Sequence, residues 1–395
     1  MAALWAAIVI ALPGCKRYSD VSAPNDPESA RLSQSAQPGQ ASPAPGQFLD
    51  SARQPVESAW VGAQAAKAAY VLIGEAHTSA CDHETQARVL ALMAEAGTPP
   101  AVGLEMVSLD AQPILDLFNK GIIGLEELEE RLVWGQTWGF PFEIYRPIFE
   151  TARRLELPLY ALNVPRDVAR KVGRSGFKGL SMEERLGLPS KIIPVPKEQE
   201  ESLRAVFDSH PFGKPKDRKA AWESFITVQA LWDTAMARRA VEARVATRRP
   251  VAIIAGGGHV ERGWGIASRL AVFDPAGQRL LLMPWRGGQD PDPLEADLFF
   301  YCPEVKRPRL GLTLETKNSA IAVVAVESGS RADAAGLKAG DVLVKAQGAE
   351  VKSLPDLHSA TMRALKEGGT LRLDILRDGR PETLQVPLPD IRSGS

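Results

Sequence analysis

Four short runs of continuous apolar residues, Ala69 to Gly74, Ala101 to Met106, Leu157 to Leu162 and Pro250 to Ala255, constrain this chain more than any other feature. Each is strand-length and lacks the alternation of a strand with one wet face, so each suits a strand buried on both sides. Helical stretches separate the runs. That order predicts an α/β domain with a mainly parallel sheet and helices on both faces. Residues from about 164 to 249, between the third and fourth runs, read as a mostly helical insertion. Within it, a helix over about 218 to 247 aligns Phe225, Gln229, Trp232 and Met236 on one stripe by their spacing. A strand pair is expected next, Leu270 to Phe273 and Arg279 to Met283, joined through Asp274-Pro275-Ala276-Gly277. The domain is expected to close near Glu304.

The chain has 395 residues, enough for two domains and a connector, with 47 basic against 48 acidic side chains. This balance, with no long Lys/Arg block, argues against nucleic acid as a partner. Three cysteines cannot make a disulfide scaffold. Residues 1–15, MAALWAAIVIALPGC, are too short an apolar run to cross a bilayer and read as a lipoprotein-type signal peptide, although no Lys or Arg precedes the run. Leu12-Pro13-Gly14-Cys15 resembles a bacterial lipobox, with Pro13 unusual in it. Lipidation at Cys15 would hold the protein at a membrane, on the periplasmic side of a bacterial envelope. Lys16 in place of an Asp favours the outer membrane. Residues 16–50, rich in Ser, Pro, Ala and Gln, are expected to be a disordered linker, because they have too little apolar surface to offset their ordering entropy. The large domain then spans 51–304, a second unit 305–389, and a tail 390–395.

The second unit shows short strand patterns at Leu310 to Leu314, Ile321 to Val326, Asp341 to Ala346 and Leu371 to Arg377, and a hairpin turn at Arg377-Asp378-Gly379-Arg380. Its run from Ser330 through Gly336-Leu337-Lys338-Ala339-Gly340-Asp341, followed by Val342-Leu343 and Gly348, resembles the signature of bacterial PDZ domains. The resemblance implies a small, mostly-β domain that takes a peptide or protein C-terminus as an added strand, its carboxylate held by loop N–H groups. Arg309, Leu310, Gly311 and Leu312 match that loop. His358 falls on or near the helix lining the groove in this family, though an exposed helix residue is the plainer reading.

The chemistry of the large domain centres on two of its histidines. One strand runs into Gly74-Glu75-Ala76-His77 and another into Gly256-Gly257-Gly258-His259, so each histidine follows a glycine by three residues just beyond a buried strand. In open α/β sheets the carboxyl ends of the strands form the ligand crevice, so both imidazoles should look into one site. Leu104-Glu105-Met106 brings a carboxylate to a comparable level. Glu75, His77, Glu105 and His259 have the composition of a divalent-metal set, for Mn, Co or Zn, which could acidify a bound water. A structural hydrogen-bonded role is the alternative for each. Thr78 and Asp82 are expected N-caps for a helix through Met93, with His83 and Gln86 facing the crevice. Cys81 could ligate, pair with Cys302 or stay a small buried residue, the last being the default.

These segments, with His83 and Gln86, Ala161 to Arg166 and Gln229 to Ala237, resemble in order the ChaN family of haem-binding lipoproteins, grouped with the Tiki, TraB and erythromycin-esterase-like proteins. The resemblance spans about 250 residues and implies a lipid-anchored envelope protein that binds haem, as cofacial pairs at a homodimer interface, in iron uptake. Haem asks for an axial ligand and an apolar pocket. His77, His259 and Tyr145, in the aromatic stretch from Trp134 to Tyr145, are the candidates. Gln229 is a candidate supporting residue, and Arg166 could hold a propionate or join a surface salt bridge. Trp222, Phe225 and Trp232 read as core. No Cys-x-x-Cys-His occurs, so covalent haem is excluded. The enzymatic alternative is a metal-dependent hydrolase or protease of the Tiki type, with Glu75 or Glu105 as general base and the PDZ unit selecting substrate termini.

Overall fold

The structure is a computed structural model that describes residues 43–209, 217–288, 290–304, 310–317, 320–352, 354–367 and 369–388. Cys15, the signal-like run, most of the expected linker and Arg309 lie outside the described residues, as does the side chain of His358. The chain divides into two compact units, the first closing at Glu304.

In the first unit seven strands form one sheet: β1 (Phe48–Leu49), β2 (Tyr70–Glu75), β3 (Ala101–Ser108), β4 (Leu159–Asn163), β5 (Val251–Gly256), β6 (Arg279–Trp285) and β7 (Leu298–Tyr301). Their order is β1-β7-β6-β2-β5-β3-β4. Every neighbouring pair is parallel except β1 with β7. All four apolar runs are strands, at the centre and one side of the sheet. Tyr70, Leu72, Val251, Ile253 and Ala255 join one apolar cluster, while Val71, Ile73, Ala252 and Ile254 alternate to the other face and are just as inaccessible. Both faces are therefore covered. At roughly 1.5–3 kcal/mol for each large aliphatic side chain, this double burial is the main force holding the unit together.

Helices α1 (Ser58–Ala65) and α2 (Ala80–Glu95) follow β1 and β2. Between β3 and β4 lie α3 (Gln112–Asn119), α4 (Leu125–Arg131), α5 (Trp134–Thr137) and α6 (Phe142–Arg154). The expected insertion holds α7 (Arg166–Ser175), α8 (Lys197–Ser209) and α9 (Arg218–Thr247). After β5 come α10 (Gly257–Val260) and α11 (Ile266–Phe273). From α9, Met236, Ala237, Ala240 and Ala243 pack onto the sheet; Trp222 and Phe225, farther back, form a separate core with Leu203 and Phe207.

Four expectations need correction. The linker does not reach residue 50: Phe48 and Leu49 form β1, and Gly46 N–H donates to Tyr301 O at 2.7 Å, because two apolar residues at the end of a polar run suffice to close the sheet's edge. Leu270 to Phe273 is not a strand but the last turn of α11. Ile266, Ala267 and Leu270 bury one helical face in the cluster containing α9, a periodicity invisible in a four-residue window. Arg279–Trp285 accordingly pairs with β2 in parallel instead of folding back as a hairpin. Finally, Ser79, not Thr78 or Asp82, caps α2: its hydroxyl accepts from Asp82 N and donates to Asp82 Oδ1 at 2.9 Å.

The second unit is an antiparallel sheet of β8 (Leu312–Lys317), β9 (Ala320–Val326), β10 (Val342–Ala346), β11 (Ala349–Glu350), β12 (Thr370–Arg377) and β13 (Arg380–Pro387), with helices α12 (Arg331–Ala334) and α13 (Leu354–Glu367). The β12–β13 hairpin turns through Asp378 and Gly379, both with positive φ, the geometry that suits right-twisted strands. Asp341, nearly inaccessible, takes two hydrogen bonds of 2.7 Å from Arg377, which fastens the glycine-rich run to β12. Gly311 has φ +78°, and a Cβ there would lie 2.1 Å from Ser330 Cβ. Only glycine fits. Among the described residues β8 is hydrogen-bonded to β9 alone, so its outer edge is open.

Candidate functional site at the strand ends

The carboxyl ends of β2, β3 and β5 converge, and each delivers a group to the same place. Glu75, the last residue of β2, is buried with four partners around one carboxylate. His77 Nδ1 lies 2.8 Å from Oε1, and Tyr145 donates its hydroxyl to the same oxygen at 2.8 Å. Gln86 Nε2 donates to Oε2 at 3.0 Å, and His83 Nε2 approaches Oε2 at 3.3 Å without hydrogen-bond geometry. Burial would raise the Glu75 pKa, but the nearby His83 and the hydrogen bond and charge of His77 outweigh it and hold the carboxyl well below its usual range. His77 is pushed the other way. Burial disfavours its charged form, yet Glu75 and Glu105 together raise its pKa.

The second histidine is built similarly from different elements. Immediately after β5 the glycine run coils into α10, which carries His259. Its Nδ1 lies 2.7 Å from Asp233 Oδ1 on α9, and its Nε2 3.4 Å from Glu105 Oε1 on β3. Glu105 Oε2 accepts from Gly256 N at 2.6 Å. Against the cost of burial, Glu105 and Asp233 raise the His259 pKa well above normal, and His259 with His77 lowers that of Glu105. The two halves meet at Gly256, where a Cβ would stand 2.8 Å from His77 Cε1 and 3.0 Å from its Nε2. Glycine at this position lets the His77 ring lie against the β5 backbone.

Aromatic side chains wall the site. Trp138 meets the His77 ring edge-on at 4.8 Å between centroids, and Trp232 meets His259 at 6.3 Å. The Tyr145 ring lies 3.9 Å from that of His83. Tyr145 is fully buried and its hydroxyl donates to Glu75, and burial with the Glu75 charge pushes its pKa well above normal. Arg166 donates to the carbonyls of Gln136 (3.1 Å) and Trp138 (3.2 Å), holding the aromatic segment in place instead of making a surface salt bridge.

The crevice thus gathers Glu75, His77, Glu105, His259 and Tyr145, with His83 and Gln86 below Glu75. Gln229 is half-buried and shows no side-chain hydrogen bond among the described residues, and it is Asp233, one turn later, that supports His259. An acidic residue on a helix face otherwise filled by Met236, Ala237 and Ala240 was the signal available for it, since a buried carboxylate must find a partner. Among the described residues no group of three or more His, Cys, Asp or Glu side chains has the arrangement of a metal site. The expected four-residue metal set is divided into two pairings: Glu75 with His77, and Glu105 with His259, which Asp233 also holds. Cys81 and Cys302 form a disulfide, with Cα atoms 5.8 Å apart, overturning the default of a free buried thiol. It ties the first turn of α2, just beyond His77, to the end of β7. Asp82 reinforces this tie through two hydrogen bonds from Arg286, which also donates to Cys302 O at 3.2 Å.

The family described as haem-binding uptake, Tiki superfamily, ChaN matches residues 61–270, just over half of the chain, and the PDZ family matches residues 308–388. Among solved structures, one titled as cofacial haem binding to ChaN of Campylobacter jejuni superposes with a TM-score of 0.52. It is 20% identical and covers 64% of this chain and 95% of its own, a likeness that establishes the fold. Two curated relatives, the serine protease Do-like proteins HtrB and HtrA of Bacillus subtilis, are each 34% identical over 79 residues, 20% of this chain. The match spans only 17% and 18% of their lengths.

Proposed function

Since the chain belongs to the ChaN family of haem-binding uptake proteins in the Tiki superfamily, we propose that its first unit binds haem and its PDZ unit docks the C-terminus of another envelope protein. The observation that carries the haem reading is the hydrogen bond between His77 Nδ1 and buried Glu75. An iron-ligating imidazole characteristically gives one ring nitrogen to a carboxylate, which orients the ring and raises its basicity at the other. His77 would hold the iron, its ring oriented by Glu75. Trp138 and Trp232 supply the aromatic surface that a porphyrin face requires. Bound haem would supply redox and ligand-binding chemistry at its iron; His77 would hold it, Glu75 would orient the His77 ring, and Trp138 and Trp232 border the two histidines. Titrating the protein with haemin should give a Soret shift saturating at one or two haems per chain, the former expected of one cofacial pair shared by a homodimer. No shift would remove this reading.

For the PDZ unit, the open edge of β8 supports strand addition, with the turn at Leu310, Gly311 and Leu312 offering its N–H groups to a carboxylate. Envelope localisation, with a lipid on Cys15 and the body in the periplasm, is supported by the Cys81–Cys302 disulfide, because such bonds persist in oxidising compartments.

One observation favours hydrolysis as a second reading: Glu105, His259 and Asp233 form an acid–base row of the kind that moves protons. Peptide and ester cleavage, assayed with and without Mn²⁺, Co²⁺ or Zn²⁺ and lost in His259→Ala, would support it. Absence of turnover on both substrate classes would discard it.

A further inference from the structure

Behind His259 lies a buried charge that neither reading uses. Arg269 on α11 has no accessible surface, and Asp233 on α9 has none. Arg269 Nη1 donates to Gly265 O and Ser268 Oγ at 3.0 Å, to Gln199 Oε1 at 3.4 Å, and to Trp264 O. Its Nη2 donates to Pro194 O at 3.1 Å and Ile193 O at 3.5 Å. The insertion segment 193–199 is therefore gripped by one guanidinium. From α9, the residue after Asp233 grips the same place: Thr234 Oγ1 accepts from Ile193 N at 3.1 Å.

Arg269 Nη1 also stands 3.8 Å from Asp233 Oδ2, an oxygen with no hydrogen bond among the described residues. An uncompensated buried carboxylate is costly, and the guanidinium is the positive charge on its far side. Packing alone does not call for charges here, since apolar side chains of similar volume often replace a whole buried ion pair without loss. What an apolar side chain could not supply is the electrostatic support of Asp233. The charges run Arg269, Asp233, His259, Glu105, alternating in sign, and the row ends on the Gly256 N–H.

We propose that Arg269 is a positioning residue for His259, acting through Asp233, and that it makes the His259 geometry depend on the seating of segment 193–199. The inference rests on the proposed function only in treating His259 as part of the working site, and its readout needs no haem.

The test is the ring ¹⁵N spectrum of His259 in the full chain, assigned with His259→Gln among the five histidines, together with amide hydrogen exchange across 190–205. Arg269→Gln should displace the His259 Nδ1 signal and raise exchange in 193–199 on the order of tenfold, as a local opening would. Arg269→Lys, which keeps the charge, should return the Nδ1 signal toward its native position. Asp233→Asn should displace the same signal with exchange in 193–199 unchanged. An unmoved His259 signal in Arg269→Gln would overturn the proposal and leave Arg269 a purely structural residue, as would a lysine variant indistinguishable from the glutamine one. Should Arg269→Gln fail to fold, Arg269→Met, which fills the space without the charge, decides on the same signal: a displaced Nδ1 signal supports the proposal and an unmoved one overturns it. Moved ring signals alongside an absent Soret shift would sink the haem reading and leave this one standing.

Discussion

Asp233 Oδ1 lies 2.7 Å from His259 Nδ1 although 26 residues and the whole of β5 separate them in the chain. With the 2.8 Å contact between Glu75 and His77, it gives the crevice two carboxylate-anchored imidazoles of different origin, one paired within a single strand end and one across elements. The first pair is local and the second depends on how α9 packs.

Replacing His77 should remove most haem affinity, and removing its anchor should weaken it by less. His77→Ala is expected to abolish the Soret shift at stoichiometric haemin, and Glu75→Gln to weaken binding by about 10–100-fold, the usual effect of losing a ligand's carboxylate partner. Haemin titration of both variants measures this. Wild-type affinity in His77→Ala would move the ligand elsewhere.

Haem binding should strengthen with pH. His77 has a pKa raised above the ordinary 6.5. A protonated imidazole cannot ligate, so binding must displace a proton and affinity should climb by about tenfold per pH unit until the raised value is passed. Comparing slopes for wild type and Glu75→Gln, in which His77 loses the carboxylate that raises its pKa and the climb should level off at lower pH, isolates this contribution from the pH dependence of haemin itself. Equal slopes would refute it.

Fold stability should have losses on both sides of a plateau. Glu75 and Glu105 have folded pKa values below the ordinary 4.5, so their contribution is present above that value and is lost as pH falls through the depressed ones. His259 is the reverse: with a pKa raised above 6.5, its contribution is full below 6.5 and is lost as pH rises through the raised value. Urea midpoints against pH should decline at both ends, and Asp233→Asn should flatten the alkaline limb.

Breaking the Cys81–Cys302 bridge should cost about 3–5 kcal/mol, near the upper end for disulfides because it closes a separation of 221 residues. Denaturant unfolding of Cys302→Ser against wild type, each with and without reductant, gives the value. A reductant effect that persists in the mutant would show that the bridge is not its cause.

In the PDZ unit, Gly311→Ala should cost about 1–3 kcal/mol from positive φ alone, before the clash with Ser330. Peptide binding, followed by fluorescence anisotropy, should fall with it while the haemin titration stays unchanged.

Much of the architecture could be read along the chain, because burial on both faces writes itself as uninterrupted apolar runs such as Val71 to Ile73 and Val251 to Ile254. The same holds for the meeting of His77 with His259: a strand's end has one destination in a parallel sheet, so two glycine-preceded histidines at neighbouring strand ends must be close. The second unit was legible too, since positions such as Gly311 and Asp341 admit few alternatives.

Tertiary structure alone decided the partners. Nothing near Asp233 in the sequence indicates His259, nothing near Cys81 indicates Cys302, and Arg269 sits in a stretch whose apolar neighbours suit a strand as well as a helix. Local patterns report how a segment hides its apolar surface, which depends on nearest neighbours. Which carboxylate compensates which buried cation is a Coulombic question settled over a few ångströms of space, and that proximity exists only once α9, α11 and the sheet have packed.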